Sequence, residues 1–237
     1  MTDIPAKVDT LILGATCFGC GAAAALGAEN SLVIERTTVA GRDFALTFHP
    51  GRNWLESRLA PDAEELRCEA IARNALVDGR IQTAALSPLF AGWCIKRKLN
   101  ILFACDVLEL SADRATFQAV DGIHTVKFAA LVDAEPAYRE GKYLTALVTA
   151  PAGKTAPAVR TADFELVPVL PENRAALVMK LESGTDWPEA RKRLRESWFR
   201  RPEELAELKL LLSANEFSSA EYDNAFSALS AGLEVYR

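Results

Sequence analysis

One stretch near the start of this chain limits its possible folds more than any other. Residues 8–13 (VDTLIL) form an apolar run that meets the turn Gly14-Ala15-Thr16-Cys17-Phe18-Gly19. An alanine-rich run follows, and a second apolar run, residues 32–34 (LVI), ends in Glu35 and Arg36. Strand, glycine turn, small-residue helix, strand and terminal acid, in that order, is the βαβ pattern of a dinucleotide-binding site. Each part has its own mechanical reason. Gly14 permits a sharp reversal after the strand, and Gly19 lets the helix press close to the strands. Helix N–H groups and the positive dipole end then face the phosphates. Thr16 stands where the pattern's second glycine brings backbone against the pyrophosphate; its hydroxyl can donate to phosphate instead. Glu35 comes about twenty residues after Gly14, where an acid accepts from ribose hydroxyls. The competing reading of the same residues is a βαβ unit of a parallel sheet with no ligand.

Half of the 237 residues are hydrophobic, enough for one large domain or a domain with a subdomain. A formal net charge of -5 without a basic stripe argues against nucleic acid as the main partner. No apolar run approaches the ~20 residues of a membrane helix. The start, Met1-Thr2-Asp3, has no charged-then-apolar secretory pattern. The expectation is a cytoplasmic protein. Five cysteines, an odd number in apolar contexts, suit reduced buried thiols better than a disulfide frame.

Further along, a helix is expected from about Pro61 through Leu76, ended by Gly79, and another over residues 87–98 with Pro88 early. Residues 101–110 are strand-like, and 115–120 and 124–128 read as two more strands, with the hairpin signal Asp121-Gly122 between them. This β-meander leads into residues 129–134, an apolar strand ending in Asp133-Ala134. Residues 143–149, 163–170 and 175–181 look like strands of another sheet; helices are expected over 187–199 and 203–212, and a weaker one over 220–236. The expected organisation is a Rossmann-like dinucleotide-binding domain with a meander over 1–141 and a mixed α+β part over 142–237 that completes the same domain or stands beside it.

This order of elements resembles the two-dinucleotide-binding-domain flavoproteins. It is most similar to the FAD-dependent oxidoreductases whose chains open with a glycine turn, then Glu-Arg, then a glycine. Gly14 through Glu35-Arg36, followed by Gly41, carries that resemblance, as does Leu131-Val132-Asp133-Ala134, which looks like the family's strand end before Thr-Gly-Asp. The resemblance implies a Rossmann-like FAD/NAD(P)-binding α/β fold with a mainly parallel sheet. It implies FAD contacts from Gly14, Ala15, Thr16, Gly19, Glu35, Arg36, Gly41, Val107 and Asp133, with a small-molecule substrate beside the flavin. The chain departs from the family at Thr16, at Glu135-Pro136-Ala137 where Thr-Gly-Asp is expected, and in lacking a C-terminal Gly-Asp pair.

Other groupings compete for a role. Cys17 and Cys20 form a Cys-x-x-Cys at a helix start, a redox pattern, although small residues are needed there for packing. His49, before Pro50-Gly51, is the one candidate for a proton shuttle, but a lone loop histidine is more often structural. Tyr138 and Lys142 match the Tyr-x-x-x-Lys of short-chain reductases, yet Gly141 weakens the helix that pair requires. The basic, aromatic helix 191–201 could dock a partner or an anionic substrate; the plainer reading is a surface helix burying its aromatic face. The reading is therefore an FAD-binding oxidoreductase-like protein, with reduced or lost activity left open. The alternatives are an NAD(P)-dependent short-chain-type reductase using Tyr138 and Lys142, and a cofactor-free binding or scaffold protein on the same fold. No metal is expected, and homo-oligomers are left open.

Overall fold

The computed structural model describes residues 4–56 and 58–236. Met1, Thr2 and Asp3, on which the targeting expectation rests, lie outside the described residues. Among the described residues, no helix is long and apolar enough to cross a membrane.

The opening folds as its pattern requires. Strand β1 (Lys7–Leu13) runs into helix α1 (Cys17–Leu26), and β2 (Ser31–Ile34) returns parallel to β1. Gly14 has φ 93°, the left-handed region that only glycine enters freely. A Cβ on Gly19 would lie 2.2 Å from the carbonyl oxygen of Gly14, so glycine alone lets the helix sit this close to the strand. After β2 come the short helix α2 (Arg42–Ala45), α3 (Pro61–Ala72), the small hairpin β3 (Leu76–Val77) and β4 (Arg80–Ile81), and helix α4 (Thr83–Lys96). β5 (Ile101–Leu102) joins β2 in parallel. The meander is β6 (Asp106–Leu110), β7 (Arg114–Ala119) and β8 (Gly122–Asp133). β8 is long enough to pair antiparallel with β7 and then parallel with β1, so the sheet order is β5-β2-β1-β8-β7-β6.

A second sheet is antiparallel: β9 (Lys142–Thr149), β10 (Val159–Arg160), β11 (Glu165–Val169), β12 (Arg174–Leu181) and β13 (Lys209–Ser213), in the order β10-β11-β12-β9-β13. The short β14 (Ser218–Ser219) also pairs with β9. Helix α5 (Trp187–Phe199) starts on an Asp186 cap that accepts from the Glu189 N–H, and it buries Ala190 and Leu194 in the core of this sheet. Helix α6 (Ala225–Val235) opens with a capping box between Asn224 and Ser227. It crosses α1 with glycines at the contact: a Cβ on Gly232 would lie 2.1 Å from the Phe18 carbonyl oxygen, and one on Gly21 2.2 Å from that of Leu229.

Three expected elements fold differently. Helix α3 ends at Ala72 instead of continuing to Leu76, because Asn74 (φ 54°) turns left-handed and the Ala75 N–H closes onto the Ala70 carbonyl. Asp78 (φ 50°) and Gly79 (φ 72°) then make a hairpin turn, as Asp-Gly does. Residues 101–110 split into β5 and β6, with Ala104 (φ 55°) between them. The helix expected over 203–212 is a 3-10 turn, Glu203–Leu205, followed by strand β13 on the edge of the second sheet. A run such as Lys-Leu-Leu-Leu fits either period, and pairing with β9 decided it.

Candidate functional site

The βαβ turn offers its backbone donors at one place, and side chains of the chain itself take them. The Ala15 N–H donates to Glu35 Oε2 at 2.7 Å, and the Cys17 N–H to Asp43 Oδ1 at 2.8 Å. The Gly19 N–H donates to Thr16 Oγ1 at 3.0 Å. That threonine caps α1 and donates its own hydroxyl to the Ala134 carbonyl at 3.1 Å, tying the helix start to the end of β8. Thr16 is therefore a helix cap, a role its position before a small-residue helix allows.

Arg42 is the centre of the site. It is 1% exposed, and Glu35 is 0% exposed. Arg42 Nε donates to Glu35 Oε2 at 2.9 Å, while Glu35 Oε1 accepts from the Thr37 N–H at 2.7 Å. The same guanidinium pairs with Glu135 and, at 3.4 Å, with Glu216. Glu216 also holds Arg36, so a loop of the second sheet is latched to the end of β2. Burial works against the Arg42 charge, but Glu135, Glu35 and Glu216 outweigh it and hold its pKa above the ordinary guanidinium value. Burial raises the Asp43 carboxyl, although the Cys17 N–H and Arg42 work the other way.

Glu135 stands against the turn: a Cβ on Gly14 would be 2.9 Å from its Oε1. Beside it opens a cleft of about 420 Å³, with Thr16, Phe18 and Tyr222 in its wall. Asp43, Asp133, Glu135, Glu140 and Glu221 line it against a single arginine, Arg139. Phe18 and Tyr222 stack with ring centroids 6.1 Å apart.

Of the residues singled out from sequence, Gly14, Ala15, Thr16, Gly19, Glu35, Arg36, Gly41 and Asp133 gather around this turn. The Gly41 N–H donates to the Ala15 carbonyl at 2.7 Å, and its left-handed φ of 67° lets the chain fold back under the turn. Val107 stands apart, exposed on β6 at the far edge of the first sheet. His49 is held edge-on by Phe44 and Tyr143, and its Nδ1 accepts from the Gly51 N–H at 3.1 Å. Burial, then the charge of Arg52, lowers its pKa to about 4, so it is neutral at pH 7. His49 is not in the cleft wall. The helix that a Tyr-x-x-x-Lys pair requires is absent: Tyr138 (φ 54°) lies in a loop and Lys142 begins β9, donating to the Thr185 carbonyl at 2.6 Å.

Cys17 and Cys20 are buried thiols with raised pKa values, Cys17 chiefly by burial and Cys20 by its contact with Cys94, 3.8 Å away. That is the reverse of what a reactive pair needs. Sequence reasoning missed Arg42, Asp43 and Glu216 as site residues. Glu135 left a legible trace as a departure from the expected Thr-Gly-Asp; the pairing of Glu216 across 174 positions left none.

No family model and no curated protein matches this chain. Solved structures do. Glycine oxidase from Geobacillus kaustophilus matches over 98% of this chain and 94% of its own, with TM-score 0.59 and 11% identity. The myxobacterial chondrochloren halogenase CndH, a variant of FAD-dependent halogenases, matches over 90% and 63%, with TM-score 0.56 and 14% identity. CabE, an aromatic hydroxylase from angucycline biosynthesis, matches over 87% and 51%, with TM-score 0.54 and 10% identity. The fold is that of the two-dinucleotide-binding flavoproteins. The chain spans about half the length of CabE and under two thirds of CndH.

The residues present do not fit the diphosphate of FAD. Three backbone donors that would receive it are occupied, and Glu135 fills the approach to Gly14. The cleft wall is acidic as well, and like charges repel in a partly buried site.

Proposed function

We propose that this chain is a flavin-oxidoreductase-like protein whose dinucleotide cradle is filled by its own carboxylates, and that it works as a cofactor-free binding or scaffold protein on the flavoprotein fold. The observation that supports it is the occupation of the turn's backbone donors by side chains. Glu35 and Asp43 accept from the N–H groups of Ala15 and Cys17, while Glu135 lies over Gly14 and neutralises Arg42. Arg42 and Glu216 use that place to tie the two sheets together. The division into residues 1–141 and 142–237 belongs to the same reading, with α6 returning to cover α1.

The second reading is an FAD-dependent oxidoreductase that opens its cradle on demand. What favours it is that the Glu135 side chain is 39% exposed, and so can leave Arg42 without unfolding anything. Gently purified protein separates the two. The first reading expects a colourless preparation, and FAD, NAD and NADP that leave the melting temperature unchanged. Bound flavin absorbance at the equivalence of one per chain would establish the second.

A further inference from the structure

A second cavity lies between α5 and the edge strand β13. We infer that this groove is a binding site for a single-chain amphipathic anion: a carboxylate or phosphate head on an apolar tail. The inference is independent of what the nucleotide turn binds.

The groove has a volume of about 460 Å³, within the range of roughly 300–1,000 Å³ typical of small-molecule sites. Its cations come from one side of α5: Arg191, Lys192 and Arg195. Among the described residues no carboxylate lines it, in a chain whose net charge is -5. Arg191 is already positioned, stacked over the Trp187 ring at 5.5 Å and donating to Asn215 Oδ1 at 3.3 Å. Lys192 reaches Glu189 only at 3.9 Å. The exposed Arg195 guanidinium lines the groove and has no ion pair or hydrogen bond among the described residues, so its donors are open to a ligand. A planar guanidinium fork matches a carboxylate or phosphate better than a point charge does.

The tail requirement comes from the floor. Leu194 and Leu210 form an apolar floor continuous with the core of the second sheet, with Pro188 beside them. Three cations set beside this floor select a ligand that is charged at one end and oily at the other. An ion with no tail, such as inorganic phosphate, leaves the floor wet.

The test is calorimetric titration of the full chain with monomeric decanoate, decyl phosphate, inorganic phosphate and decylamine. Arg195→Glu is the chief variant, because its guanidinium supports nothing else; Lys192→Glu is the second, and thermal melting checks that both fold. Decanoate or decyl phosphate should bind one per chain, and the stronger of the two identifies the head group. Inorganic phosphate should bind at least about tenfold more weakly, and each charge reversal should weaken the amphiphile by about tenfold or more. The proposal is overturned if decylamine binds as well as decanoate, or if inorganic phosphate matches the amphiphiles. It is equally overturned if folded Arg195→Glu binds as the wild type does, or if neither decanoate nor decyl phosphate binds.

Discussion

Arg42 and Glu35 show how one buried ion pair can decide what a turn is for. Both are removed from water, so each depends on the other and on the surrounding donors and carboxylates. Arg42→Met leaves Glu35 buried beside its two N–H donors with no counter-charge, and the loss of one partner of a buried pair typically costs ~3–5 kcal/mol. Urea unfolding is expected to register a loss of that size. Arg36→Met, at a half-exposed pair with Glu216, should cost less than about 1 kcal/mol. His49 sets a second expectation. Its folded pKa is about 4 against an ordinary value of 6.5, so the unfolded chain binds the proton between those limits. Stability should therefore fall as pH drops from 6.5 to about 4, by at most roughly 3 kcal/mol. Protonated Nδ1 also forfeits the bond it accepts from Gly51. Urea melts at pH 7 and pH 4.5 check this, with His49→Gln expected to flatten the difference. At this scale the sequence was half legible. Gly14, Gly19 and Glu35 stood out because their pattern is local. Arg42 looked like one more loop residue, since its partners at Glu135 and Glu216 lie 93 and 174 positions away.

Helix α1 fits its surroundings through glycines on both of its sides. Gly19 admits the strand, and Gly21 admits α6, whose Gly232 answers it. Gly21→Ala or Gly232→Ala would push a methyl to within about 2.2 Å of a backbone oxygen, which must shift because no side chain can yield. A loss of roughly 1–3 kcal/mol or more is expected in thermal or urea unfolding, as for other overpacked contacts. Gly92→Ala should do the opposite. It sits on the exposed side of α4 with nothing near its Cβ position, and alanine there favours the helix by about 0.5–1 kcal/mol. Equal losses at Gly92 and Gly21 would refute the packing argument. Elements with strong local signals were readable: α5 runs over the expected residues 187–199, with its Asp186 cap and an early proline. β13 was not readable, because three leucines in a row carry no period of their own and the edge of β9 supplied the choice.

At the scale of the molecule, the parallel sheet, the meander and the antiparallel sheet follow the order that the apolar runs and turns suggested. What sequence order could not show is how the two sheets are joined. The Arg36–Glu216 and Arg42–Glu216 pairs close across the place where the flavoprotein fold has its cofactor cradle, and α6 returns from the C-terminus to cover α1. In the proposed reading the cradle has thereby become part of the framework. Its donors serve Glu35, Asp43 and Thr16, and its arginine serves three glutamates. Calorimetric titration of FAD into wild-type protein and into Glu135→Gly, side by side, puts this most directly at risk. The wild type should give no binding heat at FAD concentrations up to ~100 μM, while Glu135→Gly, with Gly14 uncovered and Arg42 short of one carboxylate, should bind at least about tenfold more tightly. A wild-type protein that takes up one FAD per chain with micromolar affinity would contradict the filled cradle outright.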